Sequence, residues 1–355
     1  MRKHYIDNIR WMTVLLVVVF HVFYMFNGVA SAGVIGPFQP VQYQDGILYL
    51  LYPWFMVLLF VVSGVSAEAA LRKYAPRDFL RARTRRLLLP STVGLLVFYW
   101  IGGLMNIKLS GTLEELAANV PAPILYLVAA VSGTGVLWYI QMLWIFSLLL
   151  LLVRKLDKGR LCAACAHWQP LLLILFVMPL WACAQVLNTP VIACYRFGIY
   201  CFAFLIGYFI FSQETLIERL SHSWTPLSLA ALAAGLAYTV ANFGDNFAIA
   251  PAVNSPLAML FCWLAVLAVF ATSKHFLDFT TPRFQWLGRH SFGLYALHYL
   301  PLSAAALWIC QAHDLGALAS YTVAAVTAFL GGYGLNALLS RIPVLRTLVL
   351  GMKKG

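Results

Sequence analysis

Asp7 to His21 reads DNIRWMTVLLVVVFH: an aspartate and an arginine at the mouth of an apolar helix, with one histidine eleven residues beyond Arg10. At about 1.5 Å of rise per residue, His21 stands roughly 16 Å deeper than Arg10, near the middle of a bilayer about 30 Å thick. Hydrocarbon offers the ring nitrogens no partner, so an ionisable group at that depth faces protein or a wet cavity and marks function. The alternative reading is a core histidine hydrogen-bonded to a neighbouring helix.

The surrounding chain makes the membrane setting general. Its 355 residues are 62% hydrophobic and only 10% charged, with a mean hydropathy of +0.84, whereas soluble domains carry about 25% charge. The expected fold is therefore all-α, a polytopic membrane protein. The first apolar run is as long as a span, which points away from a cleavable signal peptide. Apolar runs of membrane-spanning length place ten spans at 11–27, 46–67, 87–104, 136–153, 169–186, 192–211, 225–242, 255–273, 290–310 and 316–340. A further apolar piece near 117–131 holds Pro121 and Pro123, follows Glu114 and Glu115, and reads as interfacial or re-entrant. No repeat or soluble appendage is evident, so residues 1–355 form a single domain.

Lys and Arg set the orientation, because positively charged loops stay cytoplasmic. With the N-terminus inside, 22 of the 24 basic residues fall on inner segments, Lys108 lies outside and Arg196 within a span. Both termini are thus expected in the cytoplasm. The net charge of +12 follows from topology and contact with anionic lipid, without nucleic acid. Cys162, Cys165, Cys183, Cys194, Cys201, Cys262 and Cys310 lie mostly in apolar runs, where a thiol behaves as a small hydrophobe, so no disulfide framework is expected. One C-x-x-C pair near His167 is too little for a zinc site, and no metal is expected.

Chemistry-bearing residues are few. The densest basic run, RKYAPRDFLRARTRRLLLP, places Arg83 and Arg86 three apart where the third span begins, a natural phosphate dock if helical. The competing reading is that the run only holds its loop at the anionic leaflet. The segment GRHSFGLYALHYLP puts His298 nine residues past Arg289, about 13 Å inward, so His21 and His298 reach similar depth. Tyr295, one turn earlier, either hydrogen-bonds His298 or packs beside it. Arg196 either snorkels along its stem or meets an acidic acceptor or Asp45. Glu68 precedes Arg72 by four, a helical ion pair. Tyr139 and Gln141 line a cavity or belong to an aromatic belt. No P-loop, G-x-S-x-G elbow or H-E-x-x-H pair is present.

Arg10 to His21, Arg83 to Arg86, PWFMVLLFVVSG (53–64), LWYIQML (137–143) and GRHSFGLYALHYLP (288–301) occur in an order that resembles the acyltransferase-3 family of integral membrane acyltransferases. Without a fused soluble domain, the chain is similar to stand-alone members such as those that succinylate periplasmic glucans. The resemblance implies an O-acyltransferase of a bacterial cytoplasmic membrane. Such an enzyme moves an acetyl or succinyl group from cytoplasmic acyl-CoA to a hydroxyl of an extracytoplasmic acceptor, usually carbohydrate. It assigns His21 as general base, with Arg10, Arg83 and Arg86 for coenzyme A. His298, Tyr139 and Arg196 are candidates to orient the base or stabilise an oxyanion. A neutral imidazole, with an ordinary pKa of about 6.5, suits proton abstraction from an alcohol, and a covalent acyl-histidine relay is the alternative. The rival functions are a transporter exporting a polar or acylated small molecule, which predicts discontinuous spans and paired repeats, and a non-catalytic membrane sensor.

Overall fold

Inside a bilayer every backbone N–H and C=O needs a partner within the protein, and a helix supplies these bonds to itself. The computed structural model describes residues 3–30, 35–111, 118–165, 169–189, 194–311 and 315–352, and among them regular structure is helical, apart from one isolated bridge between Asn188 and Arg196. The chain is thus an all-helical, multi-pass membrane protein. Among the described residues six helices are long and apolar enough to cross a membrane: His4–Tyr24, Tyr43–Leu71, Gly135–Asp157, Trp224–Asn242, Pro256–Phe276 and Ala317–Arg341. Two bent pairs raise the number to eight if each is one span. Leu95–Leu109, Ala122–Ser132 and Leu172–Ala184 are shorter apolar helices. The expected spans at 87–104 and 169–186 therefore appear as short helices.

Two units divide the chain. The first holds Met1–Thr13, Gly46–Leu80 and Ile145–Arg289, and the second Val14–Asp45, Arg81–Trp144 and His290–Gly355. In the first unit, helices Phe55–Leu71 and Phe197–Phe209 pack backbone to backbone. A Cβ on Gly64 would lie 2.1 Å from the Phe204 carbonyl oxygen, and one on Gly207 2.1 Å from that of Val61. Only glycine permits that approach, the usual route to tight helix pairs where lipid competes equally for apolar side chains. The start of His4–Tyr24 is fixed by polar contacts. Asn8 donates to the carbonyls of Leu277 at 2.7 Å and Phe279 at 2.9 Å, and Lys3 meets Glu214 at 2.8 Å. Lys274 joins Glu214, Glu218 and Asp278 at 2.7, 3.2 and 2.7 Å.

The second unit uses the same device. Cβ atoms on Gly103 and Gly133 would collide with the carbonyl oxygens of Ala129 and Tyr99, at 1.7 and 2.2 Å, so helices Trp100–Leu109 and Ala122–Ser132 lie in direct contact. Ala122–Ser132, 11 residues long, is the piece read as interfacial or re-entrant. At about 1.5 Å per residue it is too short to span alone. Three π-helical turns, Thr84–Leu88, Leu95–Tyr99 and Thr327–Gly331, belong to this unit, and such turns recur at functional sites.

Candidate functional site

The second unit brings His21 and His298 together. His21 sits three residues from the end of the continuous helix His4–Tyr24. His298 occupies a break: Pro282–Leu297 ends beside it, Tyr299–Gln311 begins after it, and the two helices bend by 50°. The single straight span expected over 290–310 is thus two helices. Pro301 is the physical reason, because it has no N–H for the Leu297 carbonyl four residues earlier and its ring crowds that carbonyl. A glycine pair lets the last long helix press on this break. A Cβ on Gly331 would stand 2.6 Å from Pro301 Cβ, and one on Gly332 3.2 Å from His298 Cα.

The rings meet at a tilt of 46°, with His298 Nε2 3.2 Å from His21 Nδ1. His298 is fully buried, and His21 is only partly covered. Their protonation pattern follows from the neighbours. His298 Nδ1 lies 3.1 Å from the Leu294 carbonyl and 2.9 Å from that of Tyr295. Carbonyls only accept, so Nδ1 carries the proton and Nε2 of the neutral ring presents a lone pair. His21 Nδ1 faces that lone pair and, at 2.8 Å, the Val17 carbonyl. It is therefore the protonated nitrogen of His21, sharing its hydrogen between two acceptors. The remaining nitrogen, His21 Nε2, is left with a lone pair that neither of these contacts occupies. These contacts together favour one tautomer for each ring.

Tyr295 neither donates to His298 nor stands apart from the site: its hydroxyl bonds the Val136 carbonyl and its own carbonyl receives His298. The Tyr139 ring packs across Tyr295 at 5.6 Å and 67°, and Gln141 donates to the Ser91 carbonyl at 2.9 Å. Tyr299, which sequence reasoning passed over, sets its ring edge-on to His21 at 5.3 Å and 80°. It also borders a cavity of about 20 Å³ with Tyr99, Asn106, Thr134 and Val136, room for about one water. The signal was available, since Tyr299 directly follows His298.

The basic candidates are distributed as follows. Arg83 ends the helix Pro76–Arg83 and Arg86 lies in the π turn Thr84–Leu88. Its wider winding, with Leu89 N bonding the Thr84 carbonyl at 3.0 Å, turns residues three apart further from one face than α-helical spacing does. Arg86 is exposed and Arg83 half-buried. Gly351, at φ +61°, lies against this turn, and a Cβ there would come within 2.7 Å of both Arg85 O and Arg86 Cα. Arg10 belongs to the first unit and bonds Asp7 at 3.1 Å and the Ser66 hydroxyl at 2.6 Å. Arg196, also in the first unit, does not snorkel. It is buried and donates to the Asn254 side chain at 2.6 Å. Asp45, in the second unit, accepts from Gly28 N at 2.9 Å and Gln42 Nε2 at 2.8 Å. The Glu68–Arg72 pair is present.

Among the described residues no three His, Cys, Asp or Glu side chains gather as a metal group. The Cys162 side chain, His167, Glu114 and Glu115 lie outside what is described.

Residues 3–337 match the acyltransferase-3 family, whose description is an acyltransferase domain. The chain belongs to the acyltransferase-3 family. The match reaches into both units and takes in every candidate residue above. No curated protein and no solved structure matches the chain.

Proposed function

We propose that this acyltransferase transfers an acetyl or succinyl group from cytoplasmic acyl-CoA to a hydroxyl of an extracytoplasmic carbohydrate, with His21 Nε2 as general base. The observation that supports it best is the 3.2 Å contact from His298 Nε2 to His21 Nδ1. It supports the second nitrogen of His21 as the acceptor, with His298 in the part an orienting residue plays for a catalytic histidine.

The acceptor hydroxyl attacks the thioester carbonyl as His21 Nε2 removes its proton. The C–O bond forms, the C–S bond breaks, and the proton returns from the imidazolium to the departing thiolate. While charged, His21 keeps its Nδ1–H bonded to the Val17 carbonyl and the His298 lone pair, both good partners for a cation. A positioned base of this kind contributes about 10² to 10⁴-fold. Arg83, Arg86 and Arg10 are the residues assigned to the coenzyme's phosphates, since guanidinium forks match phosphate oxygens bidentately. The working location is a bacterial cytoplasmic membrane with both termini inside.

A second reading, a carrier of polar small molecules, draws on the discontinuous helices Phe197–Phe209 with Glu214–Ser221, bent by 101°, and Pro282–Leu297 with Tyr299–Gln311. One experiment addresses both. Membranes carrying the protein are incubated with radiolabelled acetyl- and succinyl-CoA, and extractable molecules are analysed for covalent label. Label in a carbohydrate supports acyl transfer. No label above membranes lacking the protein refutes it.

A further inference from the structure

In the first unit, a cavity of about 460 Å³ opens where helices Phe55–Leu71, Trp138–Asp157 and Phe197–Phe209 end. That volume is in the range of small-molecule sites, and no residue in it belongs to the histidine site. Its floor is apolar, made by Leu71 and by the rings of Tyr208 and Phe209. Its rim is charged, and the charges do not cancel. Glu68 is taken up by Arg72. Asp157 turns onto its own backbone, accepting from Gly159 N at 3.1 Å and Leu161 N at 2.9 Å. Arg154 and Lys158 have no carboxylate within ion-pair distance among the described residues, and the Arg154 guanidinium rests 6.0 Å from the Tyr208 ring centroid. Lys158 is held at φ +51° and is followed by Gly159 at φ +86°. That left-handed turn disfavours a side chain with Cβ, yet a lysine is placed there, on the cavity's rim.

We propose that this cavity is a phosphate-binding site, in which Arg154 and Lys158 hold the phosphate oxygens and the Tyr208 and Phe209 rings pack the group the phosphate carries. Basic pockets at helix ends beside apolar walls suit anionic lipid headgroups, and a free phosphate ester offers the same oxygens. Neither the proposal nor its test depends on the acyl-transfer reading.

The test uses the full-length protein in detergent. Binding of dioctanoyl phosphatidylglycerol, glycerol 3-phosphate and inorganic phosphate is measured by calorimetry for wild type, Lys158→Asn and Arg154→Gln. Asparagine tolerates left-handed backbone, so Lys158→Asn removes the charge without straining the turn, and it keeps the test valid if Arg154→Gln folds poorly. Each variant is expected to raise Kd at least fivefold for whichever phosphate binds. Tighter binding of the lipid than of the two small phosphates supports a headgroup site, and equal binding supports a site for free phosphate. Unchanged affinity in Lys158→Asn, or no binding of any of the three, overturns the proposal.

Discussion

Replacing His298 with Phe keeps an aromatic ring at the helix break and deletes the lone pair that receives His21 Nδ1–H. The magnitude follows from what remains. His21 still has the Val17 carbonyl at 2.8 Å, so its tautomer is weakened rather than lost. What disappears is one hydrogen bond from a group that becomes cationic in the transition state, worth about 1.5–3 kcal/mol. At about 1.4 kcal/mol per factor of ten, kcat should fall roughly 10- to 150-fold. The KM for acyl-CoA should stay put, because the interaction tightens only as His21 charges. His298→Gln, whose Oε1 offers an acceptor near the former Nε2, should recover part of kcat. Initial rates with labelled acyl-CoA, at saturating and limiting donor, separate the two parameters. Wild-type kcat in His298→Phe would refute the orienting role. A loss as deep as that of His21→Ala, with no recovery in His298→Gln, would make His298 itself the base.

Three further outcomes follow from other parts of the molecule. Arg83→Ala with Arg86→Ala should raise the KM for acyl-CoA about tenfold or more, from losing charge-assisted contacts to phosphate. An unchanged KM would leave the cluster a purely topogenic role. Gly351→Ala forces a left-handed φ onto a residue with Cβ, costing about 1–2 kcal/mol, and drives that Cβ into the backbone of Arg85 and Arg86. Lower thermal stability together with a raised acyl-CoA KM is expected, and no change in either would contradict the packing. Burial alone would raise the Asp278 pKa, but hydrogen bonds from Lys274 and from the Tyr5 backbone N–H outweigh it and hold the carboxylate below its usual range. A depressed folded pKa stabilises the fold above the unfolded value of about 3.9 and ceases to do so as pH falls through the folded value. Asp278→Asn should therefore flatten the acid limb of melting temperature against pH below about pH 5.

The histidine pair was legible in the sequence because depth along a helix is a count of residues. His21 from Arg10 and His298 from Arg289 gave matching depths, and the rings do meet. The bend at His298 was written in Pro301, yet an apolar run reads as one span whether or not a proline interrupts its ladder. The π turn under Arg83 and Arg86 left no local mark, since TRRLL has no residue that demands an extra residue per turn. Arg196 misled because its partner, Asn254, lies 58 positions away, and spacing within one helix says nothing about such a pair. No local pattern marks the glycines at 64, 207, 331 and 332, whose role appears only when the opposing backbone is in place.

The central claim rests on a single nitrogen, so His21→Ala is its most direct test. Reconstituted in vesicles with labelled acyl-CoA on one face and carbohydrate acceptor on the other, the variant should insert and fold as wild type does while its kcat falls about 10² to 10⁴-fold. Acyl transfer at the wild-type rate in that variant would contradict the account.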